Sequence, residues 1–310
     1  WGLYSDGFIA NGVGGLILGI AIVNGKCVNS ENKVNVRNLM VQNGKITGIG
    51  YIPDEDEENI DIIDISQSLV LPNNFDFLHA PLFGDLTQYI EDVQSHGVFN
   101  LALIPNNMTT LFDNPTSIEK FLSMSPDVGS LQVIASATKG NLPNELSELS
   151  LLHQAGASGI YLGRIIENEP LLKQALTYID MIGCPIVVGP MTQLIADGAH
   201  LNEGCVSFKI GVRGESIDDE FLRVKNLLAL IERHTRVPVH FLSVSSSKAV
   251  DYIDQFKQRH PQISVGVSPF HLILSDDELF EYNVDLKFNP PLRSKQDLFL
   301  LLHEFKSEKI

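Results

Sequence analysis

After residue 70 the sequence settles into short apolar runs separated by helix-length amphipathic segments. The runs are FDFL at 75–78, NLALIP at 100–105, LQVIASAT at 131–138, GIYLG at 159–163, PIVVG at 185–189, VPVHFLSV at 237–244 and SVGVSP at 264–269. Each is too short for a helix and too evenly apolar for a strand with one wet face, so each reads as a strand covered on both sides. Strands that alternate with helices are joined by crossovers, which makes their pairing parallel. The expected fold is therefore α/β, a (β/α)8 TIM-type barrel, with an α/β sheet that stays open as the alternative. The clearest helix places Phe221, Val224, Leu228 and Ile231 at helical spacing, behind Ser216 as N-cap and an acidic first turn.

The first seventy residues follow a different pattern. GLILGIAIVNGK, VRNLMVQNGKITGIG and IDIIDIS are β-rich, and two of them carry Asn-Gly-Lys, at 24–26 and 43–45. Asn-Gly supplies the positive φ angles of a tight turn, so both are expected to be hairpins. The acidic run DEDEE at 54–58 reads as a solvated loop. The expected organisation is a small N-terminal β-unit over 1–70 and the barrel over 71–310. The sequence stops at KSEKI, after a helix beginning near Ser294. That is where an eighth strand would start, so the eighth strand is expected to lie outside this sequence.

Composition excludes several classes. With 310 residues, 44% of them hydrophobic, the chain can bury a large core. A formal net charge of −16 repels phosphate, which argues against nucleic acid and against anionic membranes as partners. The three cysteines, Cys27, Cys184 and Cys205, are far apart and form no CxxC, so reduced thiols in the cytoplasm are expected. The apolar run from Val13 to Val23 holds three glycines and is too short to span a bilayer. GVGG at 12–15 lacks dinucleotide-loop spacing, and no GxSxG, HExxH or phosphate-loop motif is present.

Four stretches resemble the dihydroorotases of the amidohydrolase superfamily: LVLPNNFDFLHA at 69–80, LALIPNNMTTLFDNP at 101–115, HLNEGCVSFKIGVRGES at 200–216, and VGVSPFHLILSDDE with LKFNPPLRSKQD at 265–278 and 286–297. The resemblance implies a (β/α)8 barrel with a small β-sandwich built from the chain ends, which makes the β-unit over 1–70 a small N-terminal β-sandwich domain. It also implies hydrolysis or closure of a cyclic amide, dihydroorotate or N-carbamoyl-L-aspartate. In that chemistry a zinc ion at the C-terminal ends of the strands polarises the amide and activates water.

The family's ligand positions carry other residues here. The HxH pair of strand one falls on Leu78 and Ala80, with His79 between them facing the other way. The aspartate or modified lysine of strand four is missing from GIYLGR. The histidines of strands five and six fall on Gly189 and Ser243, with His240 out of phase on its strand. The catalytic aspartate of strand eight lies past Ile310. The arginine that follows HxH falls near Leu82. Of the other donors, Asp76, His79 and His271 do not replace the lost set. The sequence therefore leads to no catalytic residue and no resident cofactor, with zinc present only if this ligand assignment is wrong. Asn106 and Asn289 stand where the family uses amides near its ligand, and also where turn chemistry places asparagine.

Three functions follow from the resemblance. The first is a catalytically inactive, dihydroorotase-like protein of pyrimidine biosynthesis, a structural or regulatory partner of aspartate carbamoyltransferase and a homo-oligomer. The second is an active dihydroorotase or other cyclic-amide hydrolase with an atypical site. The third is a small-molecule sensor reusing the barrel mouth.

Overall fold

The structure is a computed structural model that describes residues 19–28, 34–50, 60–66, 68–71, 75–79, 86–98, 100–105, 112–124, 130–191, 201–280 and 283–310. Two compact units divide the chain, one of Trp1–Leu103 with Ser123–Gln132, the other of Ile104–Leu122 with Val133–Ile310.

In the first unit, β1 (Gly19–Val28), β2 (Val34–Gln42), β3 (Lys45–Ile49), β4 (Ile60–Asp64) and β5 (Leu69–Val70) form a mixed sheet in the order β3-β2-β1-β4, with β5 also on β1. This is the expected β-rich N-terminal part. Its two Asn-Gly pairs behave differently. Asn43 and Gly44, with φ of 49° and 70°, make the tight turn between β2 and β3. Asn24, with φ of 60°, sits inside β1, where the pairing with β2 slips between Ile22 and Gly25. The expected hairpin at 24–26 is therefore a bulge: the left-handed residue absorbs one extra position instead of reversing the chain. The run at 54–58 lies outside the described residues.

The remaining elements alternate as the sequence implies. They are β6 (Phe75–His79), α1 (Leu86–Ser95), β7 (Asn100–Ile104), α2 (Pro115–Met124), β8 (Ser130–Ser136), α3 (Leu149–Gln154), β9 (Gly159–Tyr161), α4 (Glu169–Ile182) and β10 (Ile186–Val188). Then come β11 (Leu201–Asn202), α5 (Cys205–Ile210), β12 (Gly214–Glu215), α6 (Ile217–His234), β13 (Val239–Phe241), α7 (Ser247–Lys257), β14 (Ile263–Val265), α8 (Phe270–Ile273) and α9 (Lys295–Lys306). All seven apolar runs become strands of one sheet, ordered β14-β13-β10-β9-β8-β7-β6. The pairings from β8 to β14 are parallel.

Register divides this sheet into two faces. Ala135, Ile160, Ile186, Val239 and Ile263 stand side by side across five strands. None of them is more than 1% exposed. The next row is Ser136, Tyr161, Val187, His240 and Ser264. It is polar, and it opens from a fully buried Ser136 to an exposed Ser264. An apolar row closed off from water and a polar row on the opposite face are what a barrel wall requires.

The helices of the second unit are anchored by ordinary local signals. In α4, Asn168 caps the N-terminus by accepting from Leu171 N, Pro170 occupies the first turn, and Gly183 ends it at φ 70°. Leu172, Ala175, Leu176 and Ile179 form its buried stripe. Each large aliphatic there contributes about 1.5–3 kcal/mol by leaving water. Helix α6 begins behind Ser216, as expected, and buries Val224, Leu228 and Ile231. The Ser216 hydroxyl makes no capping bond, however.

Candidate functional site

A site in a sheet of this kind belongs at the C-terminal ends of its strands. There β10 runs out at Gly189 and β13 at Leu242, Ser243 and Ser245. Main-chain bonds carry the ladder slightly further, from Leu242 N to Val188 O at 2.9 Å and from Val244 N to Gly266 O at 3.0 Å. Ser243 breaks the alternation with φ of 50°, a left-handed angle that costs about 1 kcal/mol for a residue bearing a Cβ. A comparison of 240 with 243 by strand parity therefore does not hold, because the strand ends between them.

His240 lies in the polar row beside Val187 and Ser264, half-buried rather than turned to the apolar face. Its Nδ1 is 2.8 Å from Ser264 Oγ. Burial pushes its pKa down to about 4, so the ring is neutral near pH 7. Tyr161, in the same row, is 7% exposed, and burial pushes its phenol up to about 12.

At the end of β13 is a buried polar hub in which Asn202, Glu215, Asp276 and Arg293 come from the stretches that carry the family resemblance, and Glu220 and Ser245 from outside them. Arg293 donates from Nε to Ser245 Oγ at 2.9 Å, and from Nη1 to Asn202 Oδ1 at 3.2 Å and Glu215 O at 3.0 Å. Its Nη2 reaches Glu220 Oε2 at 3.3 Å. Glu220 in turn accepts from Ser245, from N at 2.8 Å and from Oγ at 2.6 Å. Asn202 donates to Asp276 Oδ2 at 3.2 Å, and Asp276 N donates back to Arg293 O at 2.9 Å. Arg293, Glu220, Ser245, Asn202 and Asp276 are all 5% exposed or less. Burial raises the Asp276 pKa, while the Asn202 bond pulls it down. A buried charge pair is tolerable only when the remaining donors and acceptors are met, and here nearly every one is.

His271 belongs to the same scaffold. It is 4% exposed, and its Nε2 donates to Pro290 O at 3.0 Å. Burial, and then the charge of Arg293, lower its pKa. His271 is thereby tied to the backbone of the proline pair that precedes Arg293, while its Nδ1 has no hydrogen-bond partner among the described residues.

The positions singled out in the sequence are placed as follows. Leu78 lies in β6, but its side chain, like that of His79, is outside the described residues, as are Ala80, Leu82 and Asn106. Asp76 is exposed and accepts from Phe77 N at 2.8 Å. Gly189 and Ser243 stand at the ends of β10 and β13. Asn289 is exposed, immediately before the proline pair that leads to Arg293. Among the described residues no group of three or more His, Cys, Asp or Glu could hold a metal ion. At positions 189 and 243 the side chains offer a hydrogen and a hydroxyl, which do not make a zinc site.

Sequence reasoning overlooked Glu220, Ser245 and Tyr161. Glu220 reads as one more acidic residue of a helix first turn, and Ser245 as one of a serine run. Tyr161 reads as one more apolar strand residue within GIYLGR.

No family model matches the chain. It is 29% identical over 301 residues to a dihydroorotase of Acetivibrio thermocellus, covering 93% of this chain and 69% of that protein. A dihydroorotase of Ehrlichia canis is 25% identical, over 93% of this chain and 67% of its own length. These relatives support a dihydroorotase-like family for the chain. Solved structures agree on the fold of this dihydroorotase-like chain. An L-hydantoinase from Arthrobacter aurescens superposes with a TM-score of 0.75 at 19% identity, covering 94% of this chain and 67% of that one. The dihydroorotase of Saccharomyces cerevisiae superposes with a TM-score of 0.55 at 13% identity, covering 74% of this chain and 64% of that one. The chain spans about two-thirds of the length of the relatives it matches.

Proposed function

We propose that this is a dihydroorotase-like protein of pyrimidine metabolism that keeps the family's barrel scaffold without its zinc chemistry. It serves as a structural or regulatory partner of aspartate carbamoyltransferase. One observation supports this reading above the others. The motif residues Asn202 and Arg293 are committed to a buried hydrogen-bonded network, and His271 is buried with its Nε2 bound to Pro290 O. The strand-end positions 189 and 243, where the resemblance places metal ligands, hold Gly and Ser. Selection for a scaffold retains the first set and releases the second.

A protein used in this way presents surface rather than a reacting centre. Among the described residues no helix is long and apolar enough to cross a membrane. The net charge of −16 favours a basic face on the partner. A homo-oligomer and a cytoplasmic setting accompany this proposal.

The test is zinc per chain, measured by elemental analysis after growth with zinc and dialysis, together with capture of purified aspartate carbamoyltransferase. The expected result is substoichiometric zinc and a salt-sensitive complex with the transferase. Stoichiometric zinc with turnover of dihydroorotate would overturn the loss of chemistry. A metal-free protein that ignores the transferase would overturn the partnership.

A further inference from the structure

Gly189 is more than a missing ligand. An ideal Cβ built on its backbone clashes with the Tyr161 hydroxyl oxygen and lies 2.7 Å from Cζ and 2.9 Å from Cε2 of the same ring. Real Cβ atoms are not found so close to ring carbons, so any side chain at 189 must move the phenol. The backbone angle is not the obstacle, because Gly189 lies outside the left-handed region where glycine is favoured. Tyr161 is held from below by the ladder: Ile160 N donates to Pro185 O, Leu162 N to Val187 O, and Ala137 N to Tyr161 O. It is also hemmed on its other side, since a Cβ at Gly163 would approach Cε1 to 3.1 Å. The same arrangement recurs one pair of strands along, where a Cβ at Gly266 would meet His240 Nε2 at 3.2 Å and Cε1 at 3.4 Å.

We infer that Tyr161 has taken over the space of the strand-five metal ligand, so that positions 161 and 189 form one interlocked pair. The row has repacked a large ring over a glycine at each of these two places. A histidine cannot return to 189 while tyrosine stands at 161. The zinc site is therefore closed by infill as well as by loss of donors, and restoring the ligands one at a time does not reopen it. The buried phenol, pushed up to about 12, fits a ring enclosed on both sides by backbone. The inference deepens the proposed loss of zinc chemistry. It is tested by stability and not by metal content, so either can fail alone.

The experiment is a double-mutant cycle on the full chain, with Gly189→Ala, Tyr161→Ala and the pair, read by thermal melting. Without a clash, Gly→Ala at a permitted backbone angle is neutral or slightly stabilising. In the Tyr161 background, Gly189→Ala is expected to lower the melting temperature by at least about 4 °C, the scale of overpacking in a chain of this size. In the Tyr161→Ala background the same change is expected to have no cost. If Tyr161→Ala does not fold, Tyr161→Leu provides the second background. Alkaline titration of the phenol, taken as the difference from Tyr161→Phe, is expected to move downward in Gly189→Ala as the ring is displaced toward water. A neutral Gly189→Ala, or an equal loss in both backgrounds, overturns the inference.

Discussion

The Arg293 guanidinium and the Glu220 carboxylate meet at 3.3 Å with side chains only 2% and 0% exposed, and both also bond the Ser245 hydroxyl. The two residues are 73 positions apart. One comes from the NPPLR stretch and the other from the first turn of α6. Ser245, between them, is two residues beyond Ser243, so the hub fixes the turn that ends β13.

Removing one partner leaves the other charge buried. Arg293→Ala is expected to destabilise the protein by about 3–5 kcal/mol in denaturant unfolding. Arg293→Lys is expected to recover little, because an ammonium cannot reproduce the fork that reaches Ser245, Asn202, Glu215 O and Glu220 together. The double change Arg293→Met with Glu220→Leu is expected to fall well short of the sum of the single losses.

Asn202 donates to Asp276 and accepts from Arg293, so the three act as a unit. Asn202→Ala is expected to cost about 1–3 kcal/mol, mostly from unmet polar groups. A cycle with Asp276→Ala is expected to show coupling of about 0.5–3 kcal/mol. Additive losses would mean that the bond between them is incidental.

His240 gives the fold a defined acid response. Its pKa falls from 6.5 in the unfolded chain to about 4 when folded, so between those values the unfolded state binds the extra proton. Stability from this group is complete above pH 6.5 and is lost as the pH falls toward 4. The loss is on the order of 3 kcal/mol at most. The His240→Gln variant is expected to flatten the melting temperature over that window relative to wild type. His271, lowered in the same direction, keeps part of the slope.

Two serines in N-cap positions are expected to differ. Ser294 Oγ accepts from Asp297 N at 3.2 Å, and Ser294→Ala is expected to cost about 1 kcal/mol. Ser216 makes no side-chain cap bond, and Ser216→Ala is expected to lie within about 0.5 kcal/mol of wild type in the same unfolding assay.

The strands were legible because burial on both faces demands uninterrupted apolar residues, which a one-dimensional pattern records directly. PIVVG and GIYLG became β10 and β9 within two residues of the runs. The stripe of α6 was legible for the same reason. The bulge at Asn24 was not, since Asn-Gly states only that φ is positive and not whether the chain turns back. The glycine at 189 could be read from the sequence, whereas its close approach to Tyr161 required the neighbouring strand.

By itself, then, the sequence determined the alternation of strand and helix and the β-rich start. Local composition and spacing carry that information, because burial and turn chemistry act over a few residues. Only the tertiary structure decided that Glu220, an acidic residue of a helix first turn, is the buried counter-charge of Arg293. It likewise decided that Tyr161 lies over Gly189. Both are contacts between chain segments 28 or more residues apart, and they arise from sheet register and packing, which no local pattern encodes.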